Sequence, residues 1–391
     1  MPDGAFDATE YGLSVDNEGK TNSEALQALI CSLSEDGGTI YIPAGEYEFA
    51  ENGVQTIGSH CIRMCSDVSI VGDGDTTVLK PTGSSSYGLD MFYFNDYLDT
   101  GKAAYLENCR FENFVIDASA TSSDVYTSAG KGFMFNLFRN CHWKNITVMN
   151  TDATGFGVDC PIDSSITACM AVGCGKAASP QGSGASGFGI GYGFSDDESI
   201  LISGCTAENN KKFGFFFEHQ GRFDGDMYKA DPKSGFAVYD CLASGNYYGF
   251  GGICASGVTY DRCVSEFSLS YGFFFEDSAD AEVTECKSEY EANACFAVGQ
   301  TADAEFSFGR ISFLKCIGGA SPVALYVEGE DPTEPVCEVW MQSCEFSDVD
   351  HAVQTKGRIQ SLTLTDNDVT VSCSNSFSDV DNLIDCDNSW N

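Results

Sequence analysis

Short runs of alternating apolar and polar residues recur along this chain, many of them closed by a glycine or a cysteine. Residues 200–205, for example, read Ile-Leu-Ile-Ser-Gly-Cys. Alternation with period two is typical of half-buried strands, and many short strands indicate an all-β protein. Residues 22–33 show helical spacing instead, with Thr21 or Ser23 as N-cap and Gly37-Gly38 as the stop. The pattern therefore predicts one N-terminal helix followed by many strands.

Cysteines mark a repeat through most of the chain. Each follows a strand-like run, and successive members are 22 to 36 residues apart. This spacing predicts solenoid coils that each pack on their neighbours, with loop insertions in the longer gaps. The members of the repeat are Cys109, Cys141, Cys169, Cys205, Cys241, Cys263, Cys286, Cys316 and Cys344.

Alignment on these cysteines reveals, in several coils, a second strand that begins with glycine. Its second and fourth positions are mostly bulky and apolar, so period two predicts that they point inward. The third and fifth positions then face outward. The third positions are Met134, Gly157, Gly189, Phe216, Gly251 and Phe274; the fifth are Asn136, Asp159, Gly191, Glu218, Ile253 and Glu276.

The first fifty residues carry a recognisable arrangement. Tyr11-Gly12 precedes the helix, and residues 37–47 read Gly-Gly-Thr-Ile-Tyr-Ile-Pro-Ala-Gly-Glu-Tyr. This stretch resembles the N-terminal cap of the pectate-lyase-like superfamily, although residues 14–19 replace the usual Gly-Asp-Gly-type turn. The resemblance implies an all-β, right-handed parallel β-helix in one domain, with a helical cap over residues 1–50 and coils over residues 51–391. It implies no single reaction, because the superfamily includes hydrolases, lyases, epimerases and phage tail spikes.

Charge and composition narrow the choice of partners. The formal net charge of −38 argues against nonspecific nucleic-acid binding, which needs Lys and Arg to neutralise phosphates, and against anionic membrane surfaces. No apolar run reaches transmembrane length, and the first ten residues do not read as a secretory leader. Secretion and association with a virion both stay open. The 19 Cys are expected to be mostly small buried hydrophobes. No cofactor is predicted, with Ca²⁺ left open.

Carboxylates on the outward face are the main candidates for catalysis. Asp159 and Glu218 are expected two coils apart, roughly 9–10 Å at the backbone, which suits the acid and base of inverting glycoside hydrolysis. His219 follows Glu218 and is a candidate general acid or base. Gln220 and Arg222 complete a polar cluster that would bind substrate. A solvated exterior carboxylate, and a structural hydrogen bond for His219, are the alternatives.

An aromatic wall beside bare glycines would suit a sugar ring. Predicted substrate-binding residues beyond the polar cluster are Phe216, Phe274, Glu276, Lys131 and Asn136. Packing of the aromatic rings under a loop is the alternative.

Residues 155–159, Gly-Phe-Gly-Val-Asp, resemble the catalytic segment of mannuronan C5-epimerases, Tyr-Gly-Phe-Asp-Pro-His. Phe156 stands in place of the Tyr, and Cys160-Pro161 in place of the Pro-His. Asp159 carries over from that motif, and Lys131 could match the catalytic Lys of the family.

The sequence thus predicts a carbohydrate-active enzyme that cleaves glycosidic bonds of a poly- or oligosaccharide in a groove on the outer face of the β-helix. Two alternatives stay open. One is a polysaccharide lyase or uronate epimerase. The other is a non-catalytic glycan-binding tail spike or adhesin, which would be expected as a homotrimer.

Overall fold

The computed structural model describes residues 1–178, 185–222, 229–230, 234–301, 309–329, 336–371 and 380–390. The chain divides into two compact units: Met1–Gly191 with Cys205–Lys212, and Tyr192–Gly204 with Phe213–Asn391. Short parallel strands build both units, which confirms the predicted all-β, right-handed parallel β-helix with a helical N-terminal cap. The assignment of residues 1–391 to one domain stays a prediction.

The N-terminal cap belongs to the first unit. A 3-10 helix, Ala8–Tyr11, precedes the α-helix Gly19–Ser32, which begins three residues before the predicted Asn22. Its N-cap is Glu18, so the predicted caps Thr21 and Ser23 lie within the helix. The Ser23 hydroxyl donates to the carbonyl of Ala50 at 2.7 Å, and the Asn22 amide donates to carbonyls of the neighbouring segments. These buried bonds attach the helix to the first coils.

Three ladders of parallel strands form the coils of the first unit. The first ladder contains Ser59–Arg63, Leu89–Phe94, Phe133–Arg139, Phe156–Ile162 and Phe188–Tyr192. The second contains Phe6–Asp7, Gly38–Tyr41, Val68–Val71, the first halves of Arg110–Asp117 and His142–Met149, and Ser164–Thr167. The third contains Gly45–Phe49, Thr77–Pro81, the second halves of those two long strands, Met170–Val172 and Thr206–Glu208. Four short strands complete the unit: Gly53–Val54, Gly83–Ser85, Leu106–Glu107 and Thr121–Ser123. It also contains a 3-10 helix, Gly74–Thr76, and a short α-helix, Asp96–Thr100.

The second unit repeats this plan. Its first ladder contains Phe213–His219, Tyr248–Ile253, Tyr271–Glu276, Ala294–Gln300 and the second halves of Ile317–Gly329 and Glu345–Lys356. The second contains Ile200–Ser203, Phe236–Tyr239, Val258–Asp261, Ala281–Thr284, Arg310–Leu314, Val336–Gln342, Ile359–Thr365 and Val380–Cys386. The third contains Leu242–Ser244, Val264–Glu266, Lys287–Glu289, the first halves of the two long strands, Asp368–Val371 and Ser389–Trp390. A 3-10 turn, Gln220–Arg222, follows the first strand of the first ladder.

Stacked phenylalanines fill the interior of the second unit. Phe215, Phe250, Phe273 and Phe296 are fully buried, and successive ring centroids are 4.8, 4.9 and 5.2 Å apart. These distances match the spacing of hydrogen-bonded strands, about 4.8 Å, so each coil adds one ring to a continuous stack. The predicted inward position is therefore confirmed for this ladder.

The cysteines of the repeat lie inside the coils, as expected, and are free thiols. Several donate from Sγ to a carbonyl of the preceding coil: Cys263 to Val238 at 3.3 Å and Cys344 to Phe313 at 3.4 Å. Each thus fills a small apolar space and also pairs a buried carbonyl. No helix in the described ranges is both long and apolar enough to cross a bilayer.

Candidate functional site

The outward columns fall in the register that the alignment predicts. In the first unit Met134 pairs with Gly157, and Asn136 with Asp159. In the second unit the third-position column passes from Phe216 through Gly251 to Phe274, and the fifth-position column from Glu218 through Ile253 to Glu276. The first ladder of each unit therefore displays the predicted candidate residues one strand apart.

Asp159 is a half-buried carboxyl group near an amine. It accepts a hydrogen bond from the Gly191 amide at 2.8 Å. Burial raises the pKa of Asp159, and the Lys131 ammonium partly offsets this rise. The Lys131 side chain lies over Gly157, where a Cβ atom would be 2.7 Å from Nζ. The lack of a side chain at Gly157 thus leaves room for Lys131 beside Asp159.

A buried carboxylate that the sequence interpretation missed holds the backbone at Lys131. Asp90 is fully buried and accepts hydrogen bonds from the amides of Gly130 at 2.8 Å and Lys131 at 2.7 Å. It also accepts from the Gln55 side chain at 2.7 Å. Burial raises the pKa of Asp90 to about 6, although these hydrogen bonds act against the rise. Asp90, which lies one coil earlier, therefore fixes the position of the Lys131 backbone.

His219 is almost completely buried and bonded to the backbone through both ring nitrogens. Its Nε2 lies 2.7 Å from the Ala230 carbonyl, and Nδ1 accepts from the Gly221 amide at 3.1 Å. The proton is therefore assigned to Nε2, because Nε2 faces the Ala230 carbonyl while Nδ1 accepts from an amide. The ring also packs edge-on against Tyr192, with ring centroids 5.3 Å apart. These contacts secure the turn after the strand; a catalytic role for His219 stays a prediction.

The other members of the predicted polar cluster, and the neighbouring Phe216, belong to the second unit. Glu218 is half-buried, whereas Phe216 is only 8% exposed and packs on Phe213 with ring centroids 4.8 Å apart. Gln220 lies in the turn Gln220–Arg222, and the side chain of Arg222 is outside the described part of the chain. Asp159 belongs to the first unit and Glu218 to the second, so their pairing stays a prediction.

Phe274 and Glu276, two predicted binding residues, do come together around a cavity. Its volume is about 220 Å³, and Gln300 and Glu328 also contribute to its wall. Glu276, Gly299 and Glu328 are in register on three successive strands, so the two carboxylates flank a glycine. The full lining is Tyr248, Tyr271, Phe274, Glu276, Val298, Gly299, Gln300, Thr301, Tyr326 and Glu328.

Six of the ten lining residues belong to the next two coils and were missed because the alignment relied on an initial glycine. In the next two coils that glycine is replaced by Cys295 and Ala324, in register with Gly272. The alternation itself continues through both strands. Extending it by two coils would have placed Tyr326 in the third-position column and Glu328 in the fifth.

Among the described residues no group of three or more His, Cys, Asp or Glu side chains is arranged to hold a metal ion.

Gly251 shows why a glycine is needed in the outward column. Its φ is +149°, and a Cβ atom there would overlap the carbonyl oxygen of Phe274 on the next strand. We expect Gly251→Ala to lower the free energy of unfolding by at least about 1–3 kcal/mol, since backbone strain and a steric clash combine. Chemical denaturation should measure the loss. Gly101→Ala is the control, because Gly101 also has a positive φ but open space around it; equal losses in both variants would contradict the steric argument.

Stacked parallel ladders with polar side chains on an outer face make this chain a parallel β-helix protein. A family model described as Rhamnogalacturonase A/epimerase, pectate lyase-like, matches residues 5–226, which is more than half of the chain. The chain therefore belongs to this family. No curated protein sequence matches it significantly.

Solved structures of the same fold are similar across nearly the whole chain. The A-module of the Azotobacter vinelandii mannuronan C-5 epimerase AlgE6 has a TM-score of 0.74 at 15% identity and covers 99% of both chains. The tailspike of Escherichia coli bacteriophage HK620, in complex with a hexasaccharide, has a TM-score of 0.63 at 12% identity and covers 98% of this chain and 78% of its own. An exopolygalacturonase from Thermotoga maritima has a TM-score of 0.56 at 11% identity, with coverages of 100% and 92%. At these identities the likeness establishes the fold.

Proposed function

We propose that this chain is a carbohydrate-active enzyme that cleaves glycosidic bonds of a poly- or oligosaccharide by hydrolysis on the outer face of its β-helix. The half-buried Asp159, whose pKa is raised by burial, carries the proposal, because a carboxyl group with a raised pKa holds its proton to higher pH and is suited to act as a general acid. The names of the family and of the similar structures, which include a rhamnogalacturonase, an exopolygalacturonase and a tailspike with bound hexasaccharide, support a saccharide substrate.

In this reaction Asp159 donates its proton to the glycosidic oxygen as the bond from that oxygen to the anomeric carbon breaks. A water molecule attacks the anomeric carbon and gives up a proton to a second carboxylate. Glu218 is proposed as that second carboxylate, with His219 assisting, and loss of activity in Glu218→Gln would support this assignment. Lys131 and Asn136 are proposed to orient the sugar beside Asp159.

A lyase or epimerase is the second candidate, and the proximity of Lys131 to Asp159 favours it. An amine and a carboxyl group on one face could remove a proton from a uronic acid and return one, which is general acid–base chemistry. The non-catalytic alternative, a trimeric glycan-binding spike, predicts binding without any product.

Incubation with a glycan panel, followed by mass spectrometry, ultraviolet absorbance and proton NMR of the sugars, separates these functions. Hydrolysis adds one water molecule per bond cleaved, and we expect this result. A lyase yields products with an ultraviolet-absorbing double bond and no added water, and an epimerase changes configuration at constant mass. If no panel member is changed, the proposal of an enzyme is wrong.

The pH dependence of activity should report the electrostatic link between Lys131 and Asp159. Activity should fall as the pH rises through the pKa of Asp159, since the general acid must be protonated. Lys131 lowers that pKa, so Lys131→Met should move the alkaline limb of the profile of kcat/KM to higher pH. The exposed Lys144 supplies the control, Lys144→Met, which should leave the limb in place. A limb that stays fixed or moves down in Lys131→Met would contradict the assignment of the acid.

A further inference from the structure

Two cavities lie on the outer face of the second unit and share walls formed by Tyr271 and Tyr326. One, of about 220 Å³, includes Gln300, and the other, of about 330 Å³, includes Gln354. The rings of Tyr271 and Tyr326 stack with centroids 6.1 Å apart and planes inclined by 17°. All residues that line either cavity lie beyond residue 226, where the family match ends.

Gln300 gives the strongest indication of a ligand. It is 3% exposed, and neither its amide nitrogen nor its oxygen has a hydrogen-bond partner among the described residues. Buried polar groups are normally paired, because an unpaired one costs free energy. The Gln300 side chain offers two donors and an acceptor to the cavity that it lines. A ligand rich in hydroxyl groups, each both donor and acceptor, would satisfy them.

The carboxylates of the cavity determine the charge of the ligand. Glu276 and Glu328 lie on either side of Gly299 in the strand register. Glu328 accepts from the Tyr326 hydroxyl at 2.9 Å and forms an ion pair with the exposed Lys356. Carboxylates bind hydroxyl donors well. Lys356 offsets the charge of Glu328, but the Glu276 carboxylate and the net charge of −38 disfavour an anion. A neutral ligand is favoured over a uronate or a phosphate.

Aromatic rings supply the apolar part of the site. Tyr248 stacks on Tyr271 with centroids 5.8 Å apart, and Phe274 lies 4.8 and 5.1 Å from these two rings. All three rings are partly exposed. Aromatic faces next to a few convergent polar groups are typical of small-molecule sites, and such faces pack against the C–H faces of sugar rings. The volume of the Gln300 cavity is below the roughly 300–1,000 Å³ of sites for larger ligands, which suits one sugar unit.

We propose that these two cavities are adjoining subsites for a neutral oligosaccharide of at least two sugar units. One unit would hydrogen-bond to Gln300, Glu276 and Glu328, and the next would lie beyond the Tyr271–Tyr326 pair. This inference concerns binding by the second unit and does not depend on the hydrolysis assigned to Asp159.

Isothermal titration calorimetry of the whole chain with soluble oligosaccharides tests the inference, because it measures the dissociation constant of each. The neutral probes are cellotetraose, xylotetraose, mannotetraose, maltotetraose and N-acetylchitotetraose, and tetragalacturonate is the anionic comparison. At least one neutral probe should bind more tightly than tetragalacturonate. Gln300→Met should weaken that binding at least about tenfold, equivalent to about 1.4 kcal/mol, while the melting temperature stays equal or rises because an unpaired buried amide is removed. Tyr271→Ala should weaken it as well.

The control is Gln342→Met, the same change at an exposed glutamine that lines neither cavity; it should leave binding unchanged. The titration is repeated with Asp159→Asn, so that loss of hydrolysis and loss of binding are read separately. Binding of tetragalacturonate in preference to every neutral probe, binding unaffected by Gln300→Met, or no binding of any probe at millimolar concentration would overturn the inference.

Discussion

Asp159→Asn is expected to reduce kcat on any glycan that the protein cleaves by roughly 10²–10⁴-fold, the usual contribution of a general acid or base. The amide preserves the size of the side chain and can still accept from Gly191, but it cannot deliver the proton. Initial rates measured from the release of reducing ends would show the loss.

Stability separates this loss from misfolding. Because the pKa of Asp159 is raised in the folded protein, folding favours its protonated form. Ionisation of Asp159 therefore lowers the free energy of unfolding as the pH rises above the pKa of this carboxyl in the unfolded chain, about 3.9. At neutral pH Asp159→Asn should melt at the same or a higher temperature than the wild type. Asp163→Asn, at an exposed carboxylate near the end of the same strand, is the matched control and should keep full activity; full activity in Asp159→Asn would remove the general acid from the proposal.

Phe250→Ala is expected to lower the free energy of unfolding by about 3–5 kcal/mol, the usual cost of truncating a buried phenylalanine. Phe250 is fully buried and lies between Phe215 and Phe273, with nearly parallel rings on both sides. Removing it leaves a cavity that rigid neighbouring coils cannot close. Chemical denaturation followed by circular dichroism would measure the change.

An exposed aromatic pair provides the comparison. Phe267 stacks on Tyr290 with centroids 5.0 Å apart, but it is 52% exposed. Phe267→Ala should therefore cost much less than Phe250→Ala, because little apolar surface returns to water and no cavity forms. If the two variants lost similar stability, the interior stack would not be the main source of cohesion between coils.

The fold was predictable because each coil of a β-helix repeats the same local alternation of apolar and polar residues. Period two sends Phe273 and Phe275 inward and Phe274 outward, and a slip of one residue would reverse every side chain. The cysteines fix the same register, since a small thiol recurs once per coil. Two independent signals therefore agreed on which face each residue would occupy.

The chemistry of the sites was less predictable, because it depends on contacts between coils. Asp90 is 41 residues from Lys131, and its hydrogen bond to that backbone leaves no local pattern. Glu328 lies in a strand where Ala324 replaces the expected glycine, so the glycine-based alignment stopped before it, and the strand pairing revealed that it shares a column with Glu276. His219 was a candidate catalyst from composition, whereas the bonds of its ring nitrogens are visible only in three dimensions.

The sequence by itself determined the coil repeat, the inward and outward faces and the strand register, because these follow from short-range alternation that every coil repeats. The tertiary structure alone decided which outward side chains meet, how deeply they are buried and which of their polar atoms are paired. Those properties set the pKa of Asp159 and leave the Gln300 amide facing a cavity. They arise from the stacking of separate coils, where residues far apart in the chain come within a few ångströms of each other.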